Sequence, residues 1–351
     1  MTDEHAVIDG LQYSNWSRTT FEQMRAGGLD AVHVTVAYWE DTRELLGNLG
    51  RWNRRFAAHA DLVVPVETAD DIRAARRSDR TAILFGLQNC SPIGDDIDMV
   101  ALLKRLNVHI MQLSYNNQSL ICAGCFEDAD PGISRFGRQV IREMNRVGMV
   151  VDMSHSAEFS TLEAIRLSER PVVVSHANPR SHHDTPRNKS EKVMRALAES
   201  GGLMGFSCYP FHLRSGSATT LEEFSEMIAR TADVMGVKHL GIGTDLCRDQ
   251  PVSVLQWMRN GRWSKVMDYG EGSEERPAWP DPLPWLADAS DFPNIATGLR
   301  ARGFDEDDVA ALIGGNWLRF LDHGLPPAGS RLGPGAHGVD GAGGTGGGAL
   351  D

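Results

Sequence analysis

Two stretches of the chain are short apolar runs that end in Ser-His, and they carry the side chains best suited to chemistry. The first ends at His155 and the second, Val172-Val173-Val174-Ser175-His176, ends at His176. Runs of β-branched residues are typical of buried parallel strands, and the segment between the two runs has helical spacing. Both imidazoles are therefore predicted at the carboxyl edge of one sheet, as metal ligands or general bases. Packing histidines held by hydrogen bonds are the alternative.

An aspartate and an arginine complete this set of polar candidates. Asp245 directly follows an apolar run in Gly-Ile-Gly-Thr-Asp, which predicts a general base or proton shuttle rather than a loop or helix-cap aspartate. Arg187 and Asn188 follow the second histidine on a polar loop. A guanidinium there could hold a substrate carboxylate through two hydrogen bonds, and an ordinary surface arginine is the alternative.

Other polar motifs carry weaker signals. Cys122 and Cys125 have the spacing of a redox or zinc pair. A structural zinc site needs two further ligands close by, and no second close-spaced pair follows in the sequence, so a turn with buried thiols is favoured.

The elements that must position these residues alternate regularly along the chain. Helical periodicity fills most of the gaps between strand candidates, which indicates a TIM (β/α)8 barrel, with a doubly wound sheet as the alternative. The eight strand candidates are residues 7–12, 31–37, 82–88, 108–115, 150–155, 172–176, 203–208 and 239–245. The helix candidates are residues 19–26, 42–58, 69–77, 99–106, 136–147, 159–168, 192–199 and 221–235.

The chain after the last strand divides into three parts. Residues 247–291, rich in Pro and Trp, are expected to form a lid over the barrel mouth. Two closing helices are predicted at 291–302 and 306–322. A single barrel domain is thus expected over 1–324, and the Gly-rich residues 325–351 are expected to be a disordered tail.

Bulk composition excludes several function classes. The chain has 351 residues and a formal net charge of −12, which disfavours nucleic acid as a partner. No run is long and apolar enough to span a membrane, and the polar start of the chain does not read as a signal peptide. Five cysteines, an odd number, do not form a disulfide framework, so a reducing cytoplasm is expected.

On these motifs the chain resembles the membrane (renal) dipeptidase family of metallopeptidases, within the amidohydrolase-type barrels. The similarity covers most of residues 7–322. It is densest at Gly-Ile-Ser-Arg-Phe-Gly (132–137), at 149–155 and 171–176, at Arg187-Asn188, and at 241–245.

The resemblance implies roles for four residues. The two strand histidines of the family's metal centre match His155 and His176. The arginine that holds the substrate carboxylate matches Arg187, and the catalytic aspartate matches Asp245. The family commonly forms homodimers, which makes a homodimer an expectation here.

The sequence departs from the family at its other metal ligands. Where the family has Asp-Gly-His-Asn-Asp, this chain has Asp-Gly-Leu-Gln-Tyr (9–13), so Leu11 and Tyr13 replace both first-strand ligands. Gln88 stands at the position of the family's bridging glutamate, and Tyr115 stands at the position of its substrate-contacting histidine. Without an anionic bridge two dications would repel each other, so no two-metal centre is predicted.

A single zinc ion on His155 and His176 is predicted instead, with a metal-free site as the competing hypothesis. Water and Asp245 or Gln88 would complete its ligand set, and Glu127 or Cys125 could join from the loop after the fourth strand.

The leading functional hypothesis is a dipeptidase-like hydrolase that cleaves an amide bond in a small carboxylate-bearing substrate. Arg187, with Asn188 beside it, would anchor the carboxylate, and Asp245 would move the proton. Tyr115 or Tyr13 would stabilise the oxyanion, and Gln88 would line the substrate surface. The alternatives are a metal-independent lyase, isomerase or amidase, and a non-catalytic homologue that binds a small molecule.

Overall fold

Parallel strands in a single cyclic order form the centre of the molecule. The computed structural model describes residues 6–261 and 278–325. Hydrogen bonds connect neighbouring strands in the order β1-β2-β4-β5-β6-β7-β8-β9, and β3 pairs with β4 outside that order. The strands are β1 (Ile8–Gln12), β2 (Ala31–Ala37), β3 (Val63–Pro65), β4 (Thr81–Leu87), β5 (Val108–Gln112), β6 (Val150–Asp152), β7 (Val173–Ala177), β8 (Leu203–Phe206) and β9 (Leu240–Ile242).

The first strand is joined to the chain that follows the last one. Gln12 bridges Leu246 in parallel. The Asp245 amide donates to the Leu11 carbonyl at 3.0 Å, and the Tyr13 amide donates to the Leu246 carbonyl at 2.9 Å. These bonds curl the sheet into a barrel, so the predicted (β/α)8 architecture is confirmed and the doubly wound alternative is wrong.

Helices alternate with the barrel strands as the periodicity predicts. Local capping fixes where they begin. The Thr220 side chain, for example, accepts a hydrogen bond from the Glu223 amide and so caps the helix that follows. The helices are α1 (Arg18–Ala26), α2 (Thr42–Ala58), α3 (Ala69–Arg77), α4 (Asp98–Arg105), α5 (Arg135–Val147), α6 (Glu158–Leu167), α7 (Glu191–Glu199), α8 (Leu221–Met235), α9 (Val252–Asn260), α10 (Pro293–Arg302), α11 (Glu306–Ala310) and α12 (Asn316–Gly324).

The second closing helix, predicted as one element over 306–322, is interrupted. Asp305 caps α11 by accepting from the Asp308 amide at 2.8 Å, which agrees with the acidic first turn. A π-helical segment, Ala311–Gly315, then separates α11 from α12. Gly314 packs against the first strand so closely that a Cβ atom there would lie 2.1 Å from the Ala6 carbonyl oxygen.

Trp317 closes the amino-terminal end of the barrel. It is 1% exposed and packs with inward-facing aliphatic residues of the strands. Its indole nitrogen donates to the Ile242 carbonyl at 2.8 Å. Gly10 and Gly241 make room for the ring, because a Cβ on either would lie within 2.8 Å of an indole atom. Chemistry is therefore confined to the opposite, carboxyl end.

The expected lid contains one α-helix in the described part of the chain. α9 lies within the 247–291 segment, and residues 262–277 of that segment are outside the described residues. The predicted tail also lies outside them, apart from Leu325, so its disorder stays a prediction. Among the described residues, no helix has both the length and the apolar character needed to cross a membrane.

Candidate active site

His155 and His176 meet at the carboxyl end of the barrel. His155 follows β6, His176 lies in the last part of the neighbouring strand β7, and their Nε2 atoms are 3.0 Å apart. His176 is fully buried, and His155 is 5% exposed. The juxtaposition expected from the two Ser-His runs is therefore present.

The outer nitrogen of each ring is held by an acceptor, and this sets the tautomer. The Nδ1 atom of His155 lies 2.6 Å from Asn116 Oδ1, an amide oxygen that only accepts. The Nδ1 atom of His176 lies 2.8 Å from Ser175 Oγ, whose own hydrogen goes to Asp152 Oδ2 at 2.5 Å. Both Nδ1 atoms are thus assigned as donors, and the two Nε2 lone pairs face each other.

Arg187 lies against this imidazole pair and not in open solvent. The side chain is 0% exposed. Its guanidinium donates to the Ser154 carbonyl at 2.6 Å, the His176 carbonyl at 2.8 Å and His155 Nε2 at 3.1 Å. The loop that was expected to offer this arginine to a substrate carboxylate instead turns it into the protein.

Both imidazoles are neutral at ordinary pH. Burial, followed by the positive charge of Arg187, holds the pKa of His155 and of His176 well below the usual value. Lys189 adds to the positive surroundings, with its Nζ atom donating to the carbonyls of Met153 and Ser156 at 2.9 Å each. Burial lowers the pKa of that ammonium to about 7.

A cavity opens above His155 and gives the site its access. Its volume is small, about 30 Å³. Asp245 contributes the carboxylate among the described residues of its wall, and it adopts a left-handed backbone conformation with φ of 60°. The wall consists of Gln88, Tyr115, Asn116, His155, Tyr209, His212, Asp245, Cys247, Leu255, Met258 and Arg259.

An aromatic cluster borders the cavity on the side of the first two strands. Tyr115 covers the His155 ring, and Tyr38 makes edge contacts with both Tyr115 and Tyr13. Gln88 points its amide nitrogen to Tyr38 Oη at 2.9 Å. Tyr13 lies behind Tyr38 and is absent from the described cavity wall, so it does not face the same space as Tyr115.

Asp9, the one acidic residue that survives from the family's first-strand motif, is structural. Its carboxylate accepts from the Thr244 hydroxyl at 2.6 Å, the Thr244 amide at 2.8 Å and Gln12 Nε2 at 2.8 Å. It therefore connects β1 to the segment after β9. Burial outweighs these hydrogen bonds and raises the pKa of Asp9 to about 6.

Asn188 and the two predicted replacement ligands also make structural contacts. Asn188 donates to the carbonyls of His183 and His212 and accepts from the Asn178 amide, so it fixes loops. Glu127 accepts from the Gln118 amide at 2.6 Å. The Cys125 thiol faces Asn116 Oδ1 at 3.6 Å.

Several residues of the cavity wall were missed by the sequence reasoning, among them Asn116, His212 and Arg259. Asn116 follows Tyr115 directly, and asparagine at a strand end was the available signal. His212 lies in a short 3-10 turn after β8, with Nδ1 2.8 Å from Ser207 Oγ. Arg259 comes from α9 in the predicted lid, where no periodicity indicates its direction.

The donor set does not fit the two-metal centre of the resembling family. Leu11 has no donor atom, and Gln88 uses its amide nitrogen on Thr35 and Tyr38. No group of three or more His, Cys, Asp or Glu side chains in the described part of the chain is arranged to hold an ion. The two Nε2 lone pairs face each other, but Arg187 already donates to that of His155 at 3.1 Å, so the pair is not an open ligand set.

Comparison with known families agrees with the barrel fold. The family model "Membrane dipeptidase (Peptidase family M19)" matches residues 5–256. The chain belongs to the membrane dipeptidase family. Dipeptidase tcpJ of Claviceps purpurea (strain 20.1) is 26% identical over 295 residues, which cover 83% of this chain and 61% of that protein. The chain thus spans about three fifths of that relative's length.

Solved structures show the same barrel. An amidohydrolase from Pseudomonas aeruginosa is 34% identical, with a TM-score of 0.85 over 92% of this chain and 97% of its own. A metallo peptidase from Rhodobacter sphaeroides, bound to a phosphinate mimic of the dipeptide L-Ala-D-Ala, is 18% identical with a TM-score of 0.75. It covers 92% of this chain and 99% of its own, and at that identity it supports the fold alone.

Proposed function

We propose that this membrane dipeptidase family member is a hydrolase that cleaves an amide or peptide bond in a small carboxylate-bearing substrate, with at most one metal ion. The observation that carries the proposal is the shared cavity of Asp245, Tyr115 and His155 at the carboxyl end of the barrel. A carboxylate, a phenol and a neutral imidazole supply the proton transfer and the hydrogen bonds that amide hydrolysis needs.

Asp245 is the residue that moves the proton. Its carboxylate takes a proton from the attacking water and returns it to the leaving amine, which departs as a neutral molecule. The left-handed backbone at this position, and the bond from its amide to the Leu11 carbonyl, fix the direction of the side chain after β9.

Tyr115 supports the carbonyl oxygen. Its ring is held against His155, so the phenol is fixed at the wall where the scissile bond must lie. A donor in a fixed position stabilises the negative charge that develops on the oxygen, because no reorganisation is needed during the reaction.

Arg259 is the better candidate to anchor the substrate carboxylate. Arg187, to which the family resemblance gives this role, is absent from the described cavity wall and is committed to two carbonyls and an imidazole. Arg259 lines the cavity, and its guanidinium carbon lies 5.8 Å from the Phe211 ring centroid. Leu255 and Met258 of the same helix favour a substrate with an apolar side chain.

Amine release from a panel of dipeptides and N-acyl amino acids tests the proposal. The wild-type protein is expected to hydrolyse at least one compound. Asp245→Asn is expected to lower kcat by about 100-fold or more, since asparagine tolerates the same backbone conformation but does not take up a proton. Asp249→Asn, an exposed neighbour with a similar φ of 56°, is the matched control. Full activity of Asp245→Asn would refute the mechanism.

A further inference from the structure

The guanidinium of Arg187 occupies the place of a cation beside the imidazole pair. We propose that Arg187 is the resident cation of His155 and His176, and that it keeps transition-metal ions from binding there tightly. This inference concerns metal affinity, so it does not depend on the substrate or on the hydrolysis proposed above.

The imidazole pair by itself has the form of a chelate. Asn116 and the Ser175–Asp152 pair hold the two Nδ1 atoms as donors, which leaves the Nε2 lone pairs 3.0 Å apart and facing one another. Two lone pairs at that distance repel unless a cation lies next to them. The fold thus requires a positive group at this point.

Arg187 supplies that group from a fixed position. One Nη atom donates to the Ser154 carbonyl at 2.6 Å, and the other donates to the His176 carbonyl at 2.8 Å and to His155 Nε2 at 3.1 Å. The side chain is 0% exposed and makes no ion pair among the described residues. Its charge is therefore available to the imidazoles and is little screened by water.

The surrounding charges make a second cation unfavourable. Lys189 is 3% exposed, and its Nζ atom bonds the carbonyls of Met153 and Ser156, which flank His155 in the chain. Asp152 is the nearby carboxylate, but its oxygens already accept from Ser154 and Ser175. An ion entering between the imidazoles would lose the lone pair that Arg187 holds and would meet that guanidinium at close range.

The replaced ligands point the same way. Leu11, Tyr13 and Gln88 stand where the resembling family has a histidine, an aspartate and a bridging glutamate. Their side chains are neutral at ordinary pH and provide no negative charge to offset a dication. The family's aspartate and bridging glutamate are lost, and Arg187 turns inward. Both changes make the site positively charged without a metal ion.

Cobalt(II) titration of the metal-stripped protein tests this directly, because cobalt bound to imidazoles gives a visible absorption spectrum. Wild-type protein is expected to bind cobalt weakly. Arg187→Met is expected to bind one ion at least about 100-fold more tightly, since the guanidinium charge is removed while apolar volume is kept. Adding His155→Ala to that variant should abolish the gain. Arg180→Met, which removes an arginine paired with Glu158, is the control and should behave as wild type.

Two results of the cobalt titration would overturn the inference. Tight binding of one ion by wild-type protein overturns the inference, and that measurement needs no variant. A folded Arg187→Met that binds no better than wild type overturns it too. Should the methionine variant fail to fold, Arg187→Lys, which keeps the charge on a shorter hydrogen-bonding group, is compared with wild type. The inference then requires its cobalt affinity to stay weak, and tight binding overturns it.

Discussion

Tyr115 covers one face of the His155 imidazole, with the ring centroids 4.2 Å apart and the planes inclined by 31°. The contact holds two groups of the proposed chemistry in one rigid unit. Asn116, the next residue, fixes the outer nitrogen of the same imidazole. The segment after β5 therefore orients both the phenol and the histidine.

Replacing Tyr115 with phenylalanine separates the packing role of this ring from its hydroxyl. The ring contact with His155 is kept, so the thermal stability should change little. The hydroxyl that stabilises the oxyanion is lost, and kcat should fall by about 10- to 1,000-fold with little change in KM. Steady-state kinetics on the compound found in the amine-release panel checks this. An unchanged kcat would remove Tyr115 from the mechanism.

Arg259→Met tests the source of carboxylate recognition. Loss of the guanidinium should raise KM by about 10-fold or more for a substrate with a free carboxylate. The same compound with its carboxylate converted to an amide should bind wild type and variant alike. Arg248→Met, half-buried and absent from the described cavity wall, is the control. If wild type and Arg259→Met showed the same ratio of KM values for the acid and the amide, a group other than Arg259 would anchor the carboxylate.

The barrel strands were predictable because strands buried on both faces appear in the sequence as continuous apolar runs. His155, His176 and Asp245 follow such runs, so their common edge was predictable too. The strand β3 was missed because it has three residues, and Val63 is the buried one among them. Its pairing with β4 depends on a tertiary contact that no local pattern announces.

The direction of individual polar side chains was not predictable. Arg187 lies on a polar loop, where a solvent-facing arginine is the ordinary expectation, and its burial follows from carbonyls that only the folded barrel assembles. Asp9 keeps the family's residue type but bonds Thr244 across the barrel seam. Arg259 reaches the cavity from a helix whose approach to the barrel mouth is set by tertiary packing.

Asp9 predicts a specific dependence of stability on pH. Its pKa is raised in the fold from 3.8 to about 6, so the unfolded chain loses this proton before the folded protein does. The folded state then binds more protons between those values, and the free energy of unfolding falls as pH rises through them. The full effect is about 3 kcal/mol, and it is complete above the folded pKa.

Asp9→Asn should remove this pH-dependent contribution to the free energy of unfolding. The amide oxygen still accepts from the Thr244 amide, and the variant has no proton to lose. Relative to wild type, the variant should gain about 3 kcal/mol between about pH 3 and about pH 7. Urea unfolding of both proteins across that range measures it, with the exposed Asp96→Asn as control. Parallel pH curves for wild type and Asp9→Asn would contradict the assignment.

Trp317 tests whether the closed end of the barrel and the active site are independent. Truncation to alanine opens a cavity among inward-facing aliphatic side chains and leaves the Ile242 carbonyl without its indole donor, so the free energy of unfolding should fall by about 3–5 kcal/mol. Phenylalanine should lose less, because most of the ring volume stays. Trp279→Phe, at a half-buried ring within the expected lid segment, is the control.

The activity of the folded fraction should be unchanged by Trp317→Phe, because the indole packs at the amino-terminal end whereas His155 and Asp245 stand at the carboxyl end. Urea unfolding gives the stability, and kcat measured well below the unfolding transition gives the function. A loss of kcat in the stable phenylalanine variant would show that packing at the bottom layer reaches the imidazole pair. The two ends of the barrel would then act as one cooperative unit, and the strands between them would have to shift with the Trp317 side chain.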